Sequence, residues 1–235
     1  MIRHFPARLS EKKIIAENTA ELTFAVSDPD FSFKAGQYVS VEIPSLSEAA
    51  APDRYHDFSI ASSPLNPKEI SIAFRISKSI FKTALLALPI GGTVNIDGPK
   101  GVLVLPDTNV SPLIFVAGGI GITPLISMIR MATETSLSQQ ITLLYCNTSK
   151  EMTAYAEELS ILEKQNPHFV LRSLIGAPDE KLFAPYMQKT SKSFWYIVGA
   201  PAMTAVVKQI LKNFDIMDPQ VRIEEFSGYL APLKI

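Results

Sequence analysis

Near the middle of the 235-residue chain, a short apolar run is followed by glycines and by residues that favour the start of a helix: 113–117, Gly118, Gly119, Gly121, Thr123 and Pro124. Glycine accepts positive φ and lets another molecule approach the backbone closely. Threonine can cap a helix, and proline suits its first turn. A buried strand, a glycine turn and a helix N-terminus together predict an anion site, because free N–H groups and the helix dipole point at the ligand. The same turn can also be purely structural, so its meaning depends on the residues around it.

The glycine turn requires a parallel sheet to position it. In the second half of the chain, strands predicted at 113–117, 141–146, 169–173, 194–198 and 221–225 alternate with helices predicted at 123–133, 152–165, 182–189 and 202–214. This alternation is typical of a doubly wound sheet with helices on both faces. Pro185 lies inside the third helix and weakens that assignment.

The first half has a different rhythm, with many short strands and dense turns. Strands are predicted at 12–17, 20–26, 33–43, 58–61, 69–75, 94–96 and 102–105, with one helix at 79–88 and a loop at 44–52. Asn18 marks the first turn. Such spacing predicts an antiparallel barrel. The fold class is therefore β + α/β, with an N-terminal β-barrel at 1–106, a doubly wound domain at 107–235, and the boundary in the polar stretch 106–111.

Composition excludes several classes of protein. A 47% hydrophobic fraction with 19% charged residues describes a globular chain, and the net charge of −1 gives no sign of a nucleic-acid partner. Cys146 is the only cysteine, so no internal disulfide and no cysteine-held metal centre is expected. The N-terminus lacks the apolar core of a signal peptide, and no apolar run is long enough to span a bilayer. We expect a cytoplasmic location and no metal.

Four blocks in order resemble those of the ferredoxin–NADP reductase superfamily, and the resemblance covers nearly the whole chain. Residues 56–64 resemble its flavin-binding signature, and 74–76 with 79–85 resemble the strand and helix that hold the flavin phosphates. Residues 118–124 resemble its nucleotide-binding turn, and 196–203 resemble the Gly-x-Pro-x-Met block beside the nicotinamide. The C-terminal stretch 224–229 is also similar.

The resemblance implies the following site residues. The flavin, FAD with FMN as the alternative, would contact His56, Asp57, Phe58, Ser59, Phe74, Arg75, Ile76, Phe81, Lys82 and Thr83. NADH or NADPH would contact Gly118, Gly119, Gly121, Thr123, Pro124, Gly199, Pro201 and Met203. Ser59 and Phe226 would act in catalysis, with Glu225 the acid beside Phe226.

Residue chemistry agrees with these roles but leaves alternatives. Phe58 can stack on a flavin ring, and Ser59 can hydrogen-bond its edge, although Phe58 also suits an ordinary strand core. Arg75 and Lys82 can meet phosphates, although such charges are usually solvated surface. Phe226 can cover the ring until nicotinamide displaces it, or simply end a buried strand.

Two positions depart from common patterns. His56 replaces the family arginine that grips a flavin phosphate, and a neutral imidazole is a weaker partner than guanidinium. Arg54, on the same strand face, is a candidate substitute. The loop 147–151 offers Lys150 and Glu151 but no arginine for a 2′-phosphate, which favours NADH.

The implied function is hydride transfer from NAD(P)H to bound flavin, then electron transfer to an acceptor. The acceptor is a ferredoxin, flavodoxin or oxygenase component. One alternative is a flavin reductase that releases free reduced flavin, which the weakened grip at His56 would favour. Another is a non-catalytic electron-transfer subunit, although such relatives often carry a C-terminal cysteine cluster that this chain lacks.

Overall fold

The computed structural model describes residues 1–46, 54–106, 112–187, 193–216 and 218–226. The first half is a six-stranded antiparallel sheet in the order β4-β3-β6-β1-β2-β5. Its strands are β1 Arg3–Ala16, β2 Thr19–Val26, β3 Tyr38–Glu42, β4 Tyr55–Ser59, β5 Glu69–Arg75 and β6 Thr93–Lys100. An antiparallel bridge between Ile60 and Ile72 joins the two edges, so the sheet closes into a barrel. Helix α1, Ile80–Ala87, covers it, with Ser79 as N-cap.

The second half is a five-stranded parallel sheet in the order β11-β10-β7-β8-β9. Its strands are β7 Leu113–Gly118, β8 Ile141–Asn147, β9 Phe169–Ile175, β10 Phe194–Gly199 and β11 Val221–Glu225. Its helices are α2 Ile122–Glu134, α3 Ala156–Gln165, α4 Glu180–Met187 and α5 Pro201–Asn213. Short 3-10 turns occupy Pro44–Leu46, Gly119–Gly121 and Asp218–Gln220. The predicted fold class is confirmed.

Strand β7 shows why both faces of this sheet are covered. Leu113 and Phe115 belong to the apolar cluster shared with α2 and α3, whereas Ile114 and Val116 belong to the cluster shared with α5. Successive side chains of a strand point to opposite faces, so a continuous apolar run needs helices on both. This arrangement buries the strand that carries the glycine turn and fixes where the turn emerges.

Two predicted elements differ from the structure. The strand expected at 102–105 is wrong: Leu103 and Leu105 are buried in the cluster of the second domain, and the Val104 carbonyl accepts a 3.0 Å hydrogen bond from the Tyr196 hydroxyl. Its apolar alternation reflects packing between domains rather than sheet pairing. The helix expected from 152 begins only at Ala156, because Tyr155 has left-handed backbone geometry with φ 58°.

The remaining differences are in length. Strand β1 extends from Arg3, well before the expected start, and β3 begins only at Tyr38. Helix α4 accommodates Pro185 internally and runs from Glu180 to Met187. Of the predicted loop at 44–52, residues 47–52 lie outside the described ranges, as do 188–189 of the predicted helix and 107–111 at the expected domain boundary.

Candidate active site

A cleft of about 770 Å³ lies between the barrel and the carboxyl end of the parallel sheet. The barrel contributes Tyr38, His56, Asp57, Phe58, Ser59, Ala73, Phe74, Arg75, Ser77, Lys78, Ser79 and Lys82. The second domain contributes Ile120, Thr123, Glu224, Glu225 and Phe226. The flavin-signature block 56–64 and the glycine-turn block 118–124 therefore meet in a single cavity.

The barrel side of the cleft is an aromatic wall. Phe58 lies 5.9 Å from Phe74 and 6.1 Å from Phe81, measured between ring centroids. Phe81 is fully buried behind Phe58 and contacts His56 at 4.6 Å. Phe58 is thus both a core residue and a surface of the cleft, since it is 7% exposed and lines the cavity. Such a wall suits a flat aromatic ligand.

A polar pair in the cleft joins the two domains. Ser59, at the end of β4, donates a hydrogen bond to Glu224 Oε1 on β11 at 3.4 Å. Burial raises the pKa of the Glu224 carboxyl, and the bond from Ser59 opposes that shift. Glu224 is therefore poised to hold a proton more readily than an exposed glutamate.

The neighbouring carboxylate, Glu225, has different surroundings. It accepts hydrogen bonds from the Thr204 hydroxyl at 2.7 Å and from Lys208 at 3.2 Å. These two donors lower its pKa. The sequence pointed to Glu225 as the acid of this region, but the structure turns Glu224 toward Ser59. Phe226 follows, half-buried, and its N–H donates to the Gly199 carbonyl at 3.0 Å.

Two cations that line the cleft, Arg75 and Lys82, have different surroundings. Arg75 donates to the Thr19 hydroxyl, to the Met152 carbonyl at 2.8 Å and to the Glu17 carbonyl at 3.3 Å, so it ties the barrel to the second domain. Lys82 is partly buried, and desolvation lowers its pKa. Within the described ranges, no acceptor pairs with the Lys82 ammonium.

The glycine turn is packed tightly against β10. Gly119 has φ +54°, and a side chain at Gly121 would come within 2.3 Å of the Val198 carbonyl oxygen. The Tyr145 hydroxyl donates to the Gly119 carbonyl at 3.0 Å and fixes the turn. No side chain caps α2, and the Ile122 N–H at its start donates to the Gly119 and Ile120 carbonyls of the 3-10 turn.

Met203, which ends the block 196–203, packs against the start of the glycine turn. A side chain at Gly118 would meet Met203 atoms at 3.1 to 3.3 Å, and one at Gly199 would meet the Met203 sulfur at 3.0 Å. Pro201 opens helix α5 at its first turn. Gly118, Gly199 and Met203 therefore form one surface beside the cleft.

The predicted cap at Thr123 is wrong. Gly121 occupies the N-cap position, and the Thr123 hydroxyl donates instead to the Ile120 carbonyl at 3.0 Å. A 3-10 turn at Gly119–Gly121 leads directly into the helix, which therefore begins at Ile122. The glycine pattern does not reveal this turn. Thr123 still lines the cleft, and Pro124 is buried in the first turn.

The remaining predicted residues lie outside the cavity or at its edge. Arg54, the candidate substitute for the missing arginine, does not line the cavity, and its guanidinium is bound to Glu42 at 2.7 Å. Ile76 packs against the barrel core, and Thr83 is exposed on α1. Asp57 lines the cleft edge, where its carboxylate accepts a hydrogen bond from Ser40.

Several lining residues were not predicted as individual contacts: Tyr38, Ala73, Ser77, Lys78, Ser79, Ile120 and Glu224. Ser77 and Lys78 lie between the recognised segments 74–76 and 79–85, and their polar character before a helix was an available signal. Tyr38 carried no local signal, and although Glu224 begins the recognised stretch 224–229, only the fold brings either residue to β4. In the described part of the chain, no three His, Cys, Asp or Glu side chains form a metal-binding group, and no helix there has the length and apolarity to cross a membrane.

Comparison with known proteins identifies both halves. The family model described as "Oxidoreductase FAD-binding domain" matches residues 6–104, and "Oxidoreductase NAD-binding domain" matches residues 115–209. The toluate 1,2-dioxygenase electron transfer component of Pseudomonas putida is 23% identical over 95% of this chain and 68% of its own length. Ferredoxin–NADP reductase B of Sorangium cellulosum is 29% identical over 68% of this chain and 65% of its own length. This chain thus spans about two thirds of these relatives.

A solved structure shows the same fold over nearly the whole chain. Ferredoxin-NADP+ reductase from Plasmodium falciparum aligns with a TM-score of 0.81 and 18% identity, covering 95% of this chain and 97% of that one. Together, the two family models and the shared architecture account for both sheets and for the cleft between them. The chain belongs to the ferredoxin–NADP reductase superfamily, as an oxidoreductase that uses FAD and NAD(P)H to carry electrons to an acceptor.

Proposed function

We propose that this protein receives a hydride from NAD(P)H at the cleft and delivers the electrons to a protein acceptor of the ferredoxin, flavodoxin or oxygenase-component class. The observation that carries the proposal is the single cavity itself. Phe58 and Ser59 line one side of it, and Ile120 and Thr123, at the glycine turn, line the other. When bound, FAD supplies the chemistry, because it accepts two electrons from nicotinamide and can release them singly or in pairs.

The residues present fit FAD. The aromatic wall formed by Phe58 and Phe74 suits the ring system. Lys82 is a partly desolvated cation whose lowered pKa comes from burial alone, and a phosphate would provide the missing counter-charge. Ser79 caps α1, and its hydroxyl is 3.5 Å from the Lys82 backbone nitrogen. We assign the phosphates to this end of the cleft.

The catalytic roles follow from Ser59, Glu224 and Phe226. Ser59 is 6% exposed, so its hydroxyl is held in a mostly dry environment where a hydrogen bond has strong directing power. Glu224 orients that hydroxyl and can retain a proton near it. Phe226 is tethered by its N–H to Gly199, beside Met203, and covers the place where the nicotinamide is to lie.

We propose NADH as the preferred nucleotide. The segment after β8 faces the adenosine end of a ligand bound at the carboxyl edge of a doubly wound sheet. There the Ser149 hydroxyl accepts from the Met152 N–H at 3.3 Å, and Thr148 donates to the Met152 sulfur at 3.4 Å. Lys150 and Glu151 are both exposed, so the charges of the segment offset each other, and no arginine lies there to bind a 2′-phosphate.

A second candidate function is the reduction of free flavin. His56 stands where the family resemblance implies a phosphate-binding arginine, and its ring packs on Phe81 with the centroids 4.6 Å apart. Arg54 does not compensate. If the flavin is bound less tightly for this reason, it acts as a substrate that is released after reduction, rather than as a permanently bound cofactor.

The domain assignment and location are proposals too. We assign residues 1–106 to FAD binding and 107–235 to nucleotide binding, since the two sheets divide the chain there. We place the protein in the cytoplasm, where NADH is supplied and a buried free thiol such as Cys146 stays reduced.

The test is the visible spectrum of the purified protein during anaerobic titration with NADH and then NADPH. The proposal predicts a flavin spectrum that survives gel filtration and bleaches with NADH at lower concentration than with NADPH. Flavin lost on the column, with rapid NADH oxidation restored by added riboflavin, would favour the second candidate. A protein that neither retains nor reduces any flavin would overturn both.

A further inference from the structure

A largely buried polar cluster joins the two domains. It consists of Glu21 on β2, Arg130 on α2, Tyr155 immediately before α3, and Glu158 on α3, and we call it the interdomain cluster. The Tyr155 hydroxyl donates to Glu21 Oε2. Arg130 lies 5.1 Å above the Tyr155 ring and 3.7 Å from the Glu21 carboxylate. It also binds both oxygens of Glu158, at 2.7 and 2.8 Å.

The cluster is largely removed from water. Tyr155 is 5% exposed and Glu21 is 8% exposed. Burial and the Glu21 charge raise the pKa of Tyr155 well above its ordinary value, so the phenol stays a neutral donor. Buried ion pairs add little stability over apolar packing, but removing one partner is costly. A cluster of this kind therefore serves geometry more than net stability.

Tyr155 also carries backbone strain. Its φ of 58° is left-handed, which a bulky side chain rarely adopts. Such geometry persists only where the surroundings hold it, and here the hydroxyl bond and the Arg130 contact do so. The strained residue stands at the junction between the segment 148–154 and helix α3.

The barrel holds this segment at two further points. The Glu17 N–H donates to the Glu151 carbonyl at 2.8 Å, and Arg75 donates to the Met152 carbonyl at 2.8 Å. Arg75 itself lines the cleft. Three ties therefore run from the flavin-binding barrel onto residues 151–155, which follow the strand beside the glycine turn.

We propose that Glu21 and Tyr155 are positioning residues, which hold the nucleotide-binding segment 148–155 against the barrel and so set the apposition of the two domains for hydride transfer. The proposal rests on the proposed use of NAD(P)H and a bound flavin. Neither residue lines the flavin cleft, so both act at a distance. A misplacement of about 1 Å by a remote change can cost a reaction on the order of a hundredfold.

The test separates the two half-reactions in Tyr155→Phe, which keeps the ring over Arg130 and removes one hydroxyl. Stopped-flow reduction of the flavin by saturating NADH is expected to slow roughly 10-fold or more relative to the unaltered protein. Oxidation of the dithionite-reduced flavin by ferricyanide is expected to stay unchanged, because it needs no nucleotide domain. Tyr186→Phe, which loses a hydroxyl within the second domain alone, serves as the control.

Hydrogen exchange of the protein without nucleotide provides a readout independent of activity. Residues 148–155 are expected to exchange faster in Tyr155→Phe than in the control. Glu21→Gln is the second variant if Tyr155→Phe folds poorly, and the double variant is expected to lose no more than the worse single one. Equal loss in both half-reactions, or unchanged exchange at 148–155, would overturn the proposal. Failure of NADH and NADPH to reduce the unaltered protein would instead count against the proposed function.

Discussion

Glu224 and Glu225 are neighbours on β11 with opposite environments, which makes them a matched pair for a test of the site. Glu224→Gln keeps the size of the side chain but removes its ability to hold a proton beside Ser59. We expect the rate of flavin reduction by NADH to fall on the order of 10- to 100-fold, because the glutamine amide still accepts from Ser59 but cannot take up or release a proton. Stopped-flow absorbance measures this rate.

Glu225→Gln is the control for that measurement, since Glu225 binds Thr204 and Lys208 rather than Ser59. It is expected to change the rate less than about threefold, in keeping with the small energies of exposed pairs. A larger effect from Glu225→Gln than from Glu224→Gln would show that the wrong carboxylate has been assigned.

The raised pKa of Glu224 predicts that the stability of the protein depends on pH. Burial raises the pKa of folded Glu224 above that of the unfolded chain. The contribution of Glu224 to the unfolding free energy is therefore greatest below the unfolded pKa, about 4.3, and is lost as pH rises through the folded value. Glu224→Gln should gain stability relative to the unaltered protein between pH 4 and neutrality. Urea denaturation at stepwise pH tests this, and a constant difference across that range would refute it.

Residue roles were readable from sequence only where a local motif carries them. Phe58 and Ser59 follow one another on β4, so their joint position was predictable. Glu224 was not, because its partner lies 165 residues away and only the packing of β11 against the barrel brings the two together. The same holds for Arg54, whose capture by Glu42 depends on the pairing of β3 with β4.

At the scale of elements, we propose that helix α1 and residues 77–79 before it bind the flavin phosphates. Lys82→Met keeps the buried stem and removes the charge. We expect the Kd for FAD to rise about 10- to 100-fold, since hydrogen bonds to charged groups contribute roughly 1.5–3 kcal/mol. Fluorescence titration of the flavin-free protein measures it. Lys68→Met, at an exposed lysine outside the cleft, should leave the Kd unchanged. Similar Kd values for both variants would remove Lys82 from the phosphate site.

The types of the helices and strands were predictable from periodicity, whereas several of their first and last residues were not. Strand β7 and the helix after it follow from an apolar run, three glycines and a proline. Leu103 and Leu105 alternate like a strand, yet they pack into the other domain. Helix α3 begins late because Tyr155 is held left-handed by Glu21 and Arg130. Both errors arise from contacts between the domains, which a local pattern does not contain.

At the scale of the whole molecule, the cleft makes flavin binding a test of both domains at once. The ring would contact Phe58 of the barrel and Phe226 of the second domain, while the phosphates would meet Lys82. A ligand at 100 times its Kd adds about 2.7 kcal/mol to the unfolding free energy. For a chain of this length we expect FAD to raise the unfolding midpoint by roughly 5–10 °C. Differential scanning fluorimetry measures it.

The ranking of flavins is the sharper part of that prediction. FAD should stabilise more than FMN, and FMN more than riboflavin, because each step removes phosphate that Lys82 and the α1 N-terminus would bind. Lys82→Met should compress the difference between FAD and riboflavin without abolishing the riboflavin shift. Equal shifts from FAD and riboflavin in the unaltered protein would mean that the ring alone is held. The replacement of the family arginine by His56 would then indicate that flavin binds only transiently, as a substrate. The electron acceptor would in that case be the flavin itself.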